Sequence, residues 1–297
     1  MPVLSCEDGS VNRQPLRLAI MEAMRILETA GVSSPRTDAE LIAAHVLGVE
    51  RGRLPLVPLV DPAVVDAIGQ MVAQRAKRVP LQHLVGWAAL GGITVDVGPG
   101  VFVPRPETEL LLEWGLKLLK GREYPVVVDL CTGSGALALA VANARPDAVV
   151  YAVDIDPTAL AWARHNAELR AAAGDSRIRL YSGDISDSAM FAELDGLVDL
   201  VLCNPPYVPE GTWVPPEVAE HDPAHAVFAQ ESGLAIIRHA VTVGARLLRP
   251  GGGLAIEHDD THAAAVPSLV RARRVLTDVE DHHDLAGRPR FVTALRG

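Results

Sequence analysis

The sequence has little cysteine: Cys6, Cys131 and Cys203 in 297 residues, odd in number, far apart and without a Cys-x-x-Cys pair. That excludes a disulfide framework and a clustered-cysteine zinc site, and it points to a reducing compartment. Basic residues are outnumbered, 27 Lys and Arg against 37 Asp and Glu, for a net charge of -10. A surface of that sign does not advertise nucleic-acid binding, although a local basic groove is compatible with it. No stretch approaches the ~18 apolar residues of a membrane span. The apolar run at residues 54–60 is interrupted by Pro55 and Pro58. Residues 1–10 carry Glu7 and Asp8 and lack the apolar core of a signal peptide. A soluble, cytoplasmic protein is expected. Hydrophobic residues make up 49% and charged residues 22%, the composition of a globular chain with room for one large domain and a small one.

Residues 1–85 read as a small helical domain. Leu16, Ile20, Ala23, Met24 and Leu27 recur at helical spacing before Gly31. Ser34-Pro35 opens a second helix carrying Ala39, Ile42, Ala43, Val46 and Leu47, closed by Gly48. A third, at about residues 62–78, carries Val64, Val65, Ile68, Met71 and Val72. None of these presents chemistry, and His45 and His83 lack ligand partners in sequence, so a docking or specificity role fits. In residues 86–103, Gly86, Gly91, Gly92, Gly98 and Gly100 punctuate Ile93-Thr94-Val95-Asp96-Val97, which alternates with period two. That pattern predicts a β-hairpin linking two domains.

Residues 104–297 repeat a strand–helix pattern. Pro106 suits an early position of a helix reaching about residue 120, with Glu107 and Glu109 at its positive end. Apolar strands are predicted at residues 126–131, 149–153, 178–181 and 198–203, separated by helices at 136–144 and 158–172. A helix at 233–248 and a turn at 249–253 lead into a strand at 254–257, and two last strands lie at 274–279 and 290–295. Alternating strands and helices imply an α/β fold with a parallel, doubly wound sheet.

The chemistry-bearing residues fall at strand ends, where open α/β sheets bind ligands. After the first strand comes Cys131-Thr132-Gly133-Ser134-Gly135, in which glycines let the backbone approach a ligand closely. It lacks the third glycine of G-x-G-x-x-G, and no Gly-Lys-Ser/Thr follows, so neither a dinucleotide fingerprint nor a phosphate loop is supported. Asp154, at the second strand end, can accept from a ribose diol, and Asp184, at the third, from an adenine amine. Singly, each would also serve as a helix cap. Together they describe an adenosine-type ligand without a pyrophosphate, for which S-adenosylmethionine is the natural candidate. After the fourth strand, Asn204-Pro205-Pro206-Tyr207 forms a stiff loop. The Asn204 side-chain oxygen and the Pro205 carbonyl are two acceptors suited to a substrate NH2, and Tyr207 supplies a flat ring; a Pro-rich turn with a capping Asn is the plainer alternative.

With these motifs in hand, the chain resembles the class I methyltransferases, and among them the protein-(glutamine-N5) methyltransferases of peptide-chain release factors. The likeness runs through the helical domain, the Gly-rich hairpin, Pro104-Arg105-Pro106-Glu107-Thr108-Glu109, Asp129-Leu130-Cys131-Thr132-Gly133-Ser134-Gly135 and Asn204-Pro205-Pro206-Tyr207. It continues through Glu220-His221-Asp222-Pro223 and Asp284-Leu285-Ala286-Gly287-Arg288. The resemblance implies a Rossmann-like, mostly parallel sheet with an antiparallel last strand. It implies S-adenosylmethionine as methyl donor, with S-adenosylhomocysteine as product, and the glutamine of the Gly-Gly-Gln loop of class 1 release factors as acceptor. Catalytic roles are implied for Asn204, Pro205 and Tyr207, with Pro206 also at the substrate. Cysteine 131 to Gly135, Asp154, Asp184, Ile185 and Asn204 are expected at the cofactor. The chain departs from the family where Cys131 replaces a common Gly, Ile185 a common aromatic and Asp222 a usual Glu.

A ribosomal-protein glutamine is an alternative substrate of the same chemistry. An adenine N6-methyltransferase would use the same acceptors, but it must hold a polyanion, and the acidic charge argues against nucleic acid as partner. A non-catalytic adapter that binds cofactor for stability would not require the acceptor tetrapeptide. No metal is expected: His221, His225, His258, His282 and His283 stand mostly beside acids, and the adjacent pair His282-His283 reads as surface. Cys131 and Cys203 end neighbouring strands as small buried hydrophobes. Arg105, between two prolines, is a candidate to point into the site.

Overall fold

A computed structural model describes residues 12–297; Cys6 and the expected leaderless stretch at residues 1–10 lie outside the described residues. The chain divides into two units at Val85 and Gly86. In the first, helices α1 (Leu16–Thr29), α2 (Pro35–Leu47), α3 (Pro62–Ala76) and α4 (Leu81–Val85) surround Leu16, Ala23, Leu27, Ala39, Ile42, Ile68 and Val72. Pro35 fits the first turn of α2, where its missing N–H is not needed, and Gly48 ends that helix at φ +63°. A buried ion pair joins α2 to α3, with Arg75 Nε donating to Asp38 Oδ2 at 2.7 Å. Periodicity does not reveal that pair, because both residues look like surface positions.

The second unit begins with a hairpin, β1 (Trp87–Leu90) and β2 (Ile93–Asp96), joined by Gly91-Gly92. Both glycines have positive φ, +57° and +83°, the backbone that a two-residue hairpin turn demands. The hairpin packs against the α/β layer: Asn166 Oδ1 accepts from the Asp96 N–H at 2.7 Å, and its Nδ2 donates to the Asp96 and Ser134 carbonyls, each at 3.0 Å.

The chain then runs α5 (Thr108–Leu118), β3 (Val126–Leu130), α6 (Ala136–Ala144), β4 (Val149–Asp154), α7 (Pro157–Ala172), β5 (Arg179–Ser182) and β6 (Val198–Cys203). After two short helices, α8 (Pro216–His221) and α9 (Ala224–Val227), come α10 (Ala235–Leu247), β7 (Leu248–Glu257), α11 (Ala265–Ala272), β8 (Leu276–His283) and β9 (Pro289–Arg296). The seven strands lie in the order β8-β9-β7-β6-β3-β4-β5, with β9 antiparallel to both neighbours and the other pairings parallel. This is the doubly wound, mostly parallel sheet expected. Val127, Leu200 and Leu202 pack beneath α5 and α6, whereas Val128, Val201 and Ile256 face α10 and α11. Connections leave β3 in one direction to β4 and β5, then return to β6 on its other side. That switch point sets the β3 and β6 loops side by side at the carboxyl end, with Leu130 registered opposite Cys203.

Several expectations are corrected. The helix after Pro106 starts at Thr108, with residues 106–107 in a turn. β7 begins at Leu248, not residue 254, and its pairing register shifts between Leu248 and Gly253. β8 reaches His283, and α11 is an element that the sequence pattern does not predict. Of the pair expected at the surface, His283 is exposed, whereas His282 is half-buried, stacks on Phe291 at 4.5 Å and shares a 2.7 Å hydrogen bond with Thr293 Oγ1. His258 is fully buried, with Asp281 Oδ1 at 2.9 Å.

Candidate active site

The loop after β3 turns through the left-handed region at Cys131, Gly133 and Gly135, with φ of +59°, +57° and +83°. Asp129 supports it from below, fully buried, its Oδ2 accepting from the Thr132 hydroxyl at 2.5 Å and the Ala138 N–H at 3.2 Å. Burial pushes the Asp129 carboxyl up to about 7. Asp154, at the end of β4, accepts from the Gly133 N–H at 2.8 Å through Oδ2 and from the Asp156 N–H at 2.9 Å through Oδ1. Each of its oxygens keeps a further acceptor site. Nothing lies within 4 Å of the position a Cβ on Gly133 would take, so the backbone there lies open.

That opening belongs to a cavity of about 770 Å³. Cys131, Thr132, Gly133, Ser134, Asp154, Asp184, Ile185, Asn204 and Pro206 contribute to its wall; Gly135, Pro205 and Tyr207 do not. Asp184 is exposed, accepting from the Ser186 N–H at 2.7 Å, and that bond holds its carboxyl below the usual range. Ile185 is buried in the layer beneath β4 and β6. The wall also takes in Phe102, Pro104, Thr108, Phe228 and His225, whose ring nitrogen lies 3.0 Å from Asp156 Oδ2. His225 therefore lines the cavity, and no spacing in the sequence marks it.

Behind Asn204 stands a buried polar chain. Asn204 Nδ2 donates to Thr108 Oγ1 at 3.1 Å, and the Thr108 hydroxyl donates to Glu257 Oε2 at 2.8 Å. The Tyr207 hydroxyl donates to Glu257 Oε1 at 3.0 Å. Glu257 is 1% exposed, and burial raises its carboxyl to about 6 against the opposing hydroxyls and Arg290. Burial and the neighbouring Glu257 push the Tyr207 phenol well above its ordinary value, so it stays a donor. Arg105 does not reach the cavity wall. Its guanidinium pairs with the buried Asp222 and lies over the Phe102 ring, 4.8 Å from the centroid.

Residues 19–86 match the family model described as the PrmC N-terminal domain, and residues 93–221 the one described as the methyltransferase small domain. The release factor glutamine methyltransferase of Mycolicibacterium smegmatis is 54% identical over 281 residues, 95% of this chain and 98% of that one. That of Streptomyces coelicolor is 46% identical, over 93% of this chain and 96% of its own. The chain belongs to the release factor glutamine methyltransferase family.

For a member of that family, Cys131 has a physical cost. Its φ of +59° is where a Gly rests without strain, and a Cβ there costs about 1 kcal/mol. Asp222 meets the Arg105 guanidinium with its buried carboxylate. The solved Thermus thermophilus 16S rRNA N2 G1207 methyltransferase, in complex with AdoMet and guanosine, shares the fold at a TM-score of 0.53 and 22% identity, over 71% of this chain and 50% of that chain. Among the described residues no group of three or more His, Cys, Asp and Glu could hold a metal ion, and no helix is long and apolar enough to cross a membrane.

Proposed function

We propose that this protein methylates the side-chain amide nitrogen of the glutamine in the Gly-Gly-Gln loop of class 1 release factors, using S-adenosylmethionine. One observation carries the reading: Asn204 stands in the same cavity wall as the open glycine loop and Asp154. The family's activity supplies the acceptor. Cys131 to Gly135, with Asp154, Asp184, Ile185 and Asn204, would hold the cofactor. The open Gly133 backbone and the spare acceptor sites of Asp154 fit an adenosine moiety. Bound S-adenosylmethionine supplies an electrophilic sulfonium methyl and leaves as S-adenosylhomocysteine.

An amide nitrogen is a poor nucleophile, because its lone pair is delocalised into the carbonyl. Asn204 Oδ1 and the Pro205 carbonyl accept the two N–H bonds of the glutamine, and Pro206 and Tyr207 shape the loop that holds its plane. Positioning of this kind reaches about 7–11 kcal/mol in the best intramolecular cases. The helical unit is assigned to release-factor docking, and the protein to the cytoplasm where translation occurs. Intact-mass analysis of an unmethylated class 1 release factor, incubated with protein and S-adenosylmethionine, tests the reading. One added methyl on the Gly-Gly-Gln glutamine, reduced about 1000-fold in rate by Asn204→Ala, is expected. No gain with cofactor binding intact overturns it and redirects the search to ribosomal-protein glutamines.

A further inference from the structure

Glu257 is buried at the end of β7, and no step above uses it. Its hydrogen bonds run in one direction only. An ionised carboxylate is acceptor-only, so both hydroxyls that meet it must donate. A threonine hydroxyl has a single proton. Once the Thr108 hydroxyl donates its one hydrogen bond to Glu257 at 2.8 Å, its oxygen can only accept from Asn204 at 3.1 Å. The end of the Asn204 amide that meets Thr108 is therefore NH2, and the carbonyl is turned away from Thr108.

An asparagine without such a neighbour has two orientations of nearly equal shape. One offers a carbonyl to an incoming NH2; the other offers NH2 to NH2, two donors with no acceptor between them. We propose that Glu257, acting through Thr108, is a positioning residue for methyl transfer: it fixes the polarity of the Asn204 amide so that its carbonyl meets the substrate nitrogen. The inference rests on the reading of Asn204 as the glutamine's acceptor. The same carboxylate takes the Tyr207 hydroxyl at 3.0 Å, so one buried charge sets the direction of two side chains of the loop. Removing the charge without changing its shape makes that direction ambiguous. In a Glu257→Gln protein the new NH2 can donate to Thr108, which then donates to Asn204 and turns the amide over.

Thr108→Val, Thr108→Ser and Glu257→Gln, made in the full chain, test this with steady-state methylation of the release factor and calorimetric binding of S-adenosylmethionine. Thr108→Val and Glu257→Gln are expected to lower kcat about 30-fold or more while KM for the release factor and Kd for the cofactor stay within about threefold. Thr108→Ser, which restores the hydroxyl, should retain about a third of kcat or more. Valine and serine separate shape from hydrogen bonding even if Glu257→Gln fails to fold. Near-wild-type kcat in Thr108→Val overturns the relay, as does a Thr108→Ser protein as impaired as the valine variant. A wild-type protein that binds the cofactor but methylates no release factor overturns the function, and the relay with it. An active wild type with an unimpaired valine variant overturns the relay alone.

Discussion

The glycine loop after β3 and the proline loop after β6 leave neighbouring strands at the same end of the sheet, and each rests on a buried carboxylate. They are held in opposite ways. The first loop is held largely by its own backbone N–H groups, Gly133 donating to Asp154 and Thr132 to the Val153 carbonyl, with the Thr132 hydroxyl on Asp129. Its exposed face at Gly133 is open main chain, which under the proposed function would read a ligand by how closely the ligand can approach. Glu257 holds the second loop only through side chains, Tyr207 directly and Asn204 by way of Thr108. Its exposed face is a side-chain amide, which under the proposed function would read a substrate by the direction of its hydrogen bonds. The first loop is expected to respond most to lost backbone freedom, and the second to the loss of a single hydroxyl.

The largest effect that would sharpen this contrast lies under the glycine loop. Asp129 is pushed to about 7 from 3.8, so its folded-state value lies above the unfolded one. A raised acid stabilises the fold fully below its unfolded value, and that contribution is lost as pH rises through the folded value. Relative to Asp129→Asn, which cannot titrate, wild-type unfolding free energy should fall by on the order of 3 kcal/mol between about pH 4 and pH 8. Parallel denaturation curves across that range would show instead that the loop rests on a charge, as the other loop does. A smaller effect is expected from Gly133→Ala: about 1 kcal/mol of stability from the left-handed backbone, but about tenfold or more in S-adenosylmethionine affinity by calorimetry. Unchanged affinity would mean that the main chain is not what the cofactor meets. The smallest is Cys131→Gly, where relief of strain opposes the loss of a half-buried thiol. Its unfolding free energy should stay within about 1 kcal/mol of wild type.

The strands that build the site are legible in the sequence for a physical reason. Residues 126–130, 149–154 and 198–203 are covered on both faces and must be apolar almost throughout, which a linear reading detects. The edge strand β8 has no such requirement, and Thr277, Glu280 and His283 give it no alternation to read. α11 spans Ala265–Ala272 with a proline at its third position, too short for periodicity to separate it from a turn. The strand-end residues Gly133, Asp154 and Asn204 are legible because strand ends are. Glu257 is not: it also closes a strand, but its partner Thr108 lies 149 positions away, and only the sheet order brings them together. Arg105 stands out in the sequence between two prolines, yet its destination depends on Asp222, 117 positions on.

Asn166 bears on where this protein can be cut. Its buried amide takes the Asp96 N–H, the Asp96 carbonyl and the Ser134 carbonyl together. A catalytic fragment begun after the hairpin would leave that amide, 1% exposed in the intact fold, with one of its three partners. The hairpin is thus part of the smallest transplantable module, and a chimera exchanging the helical unit is best joined at Gly86, before Trp87.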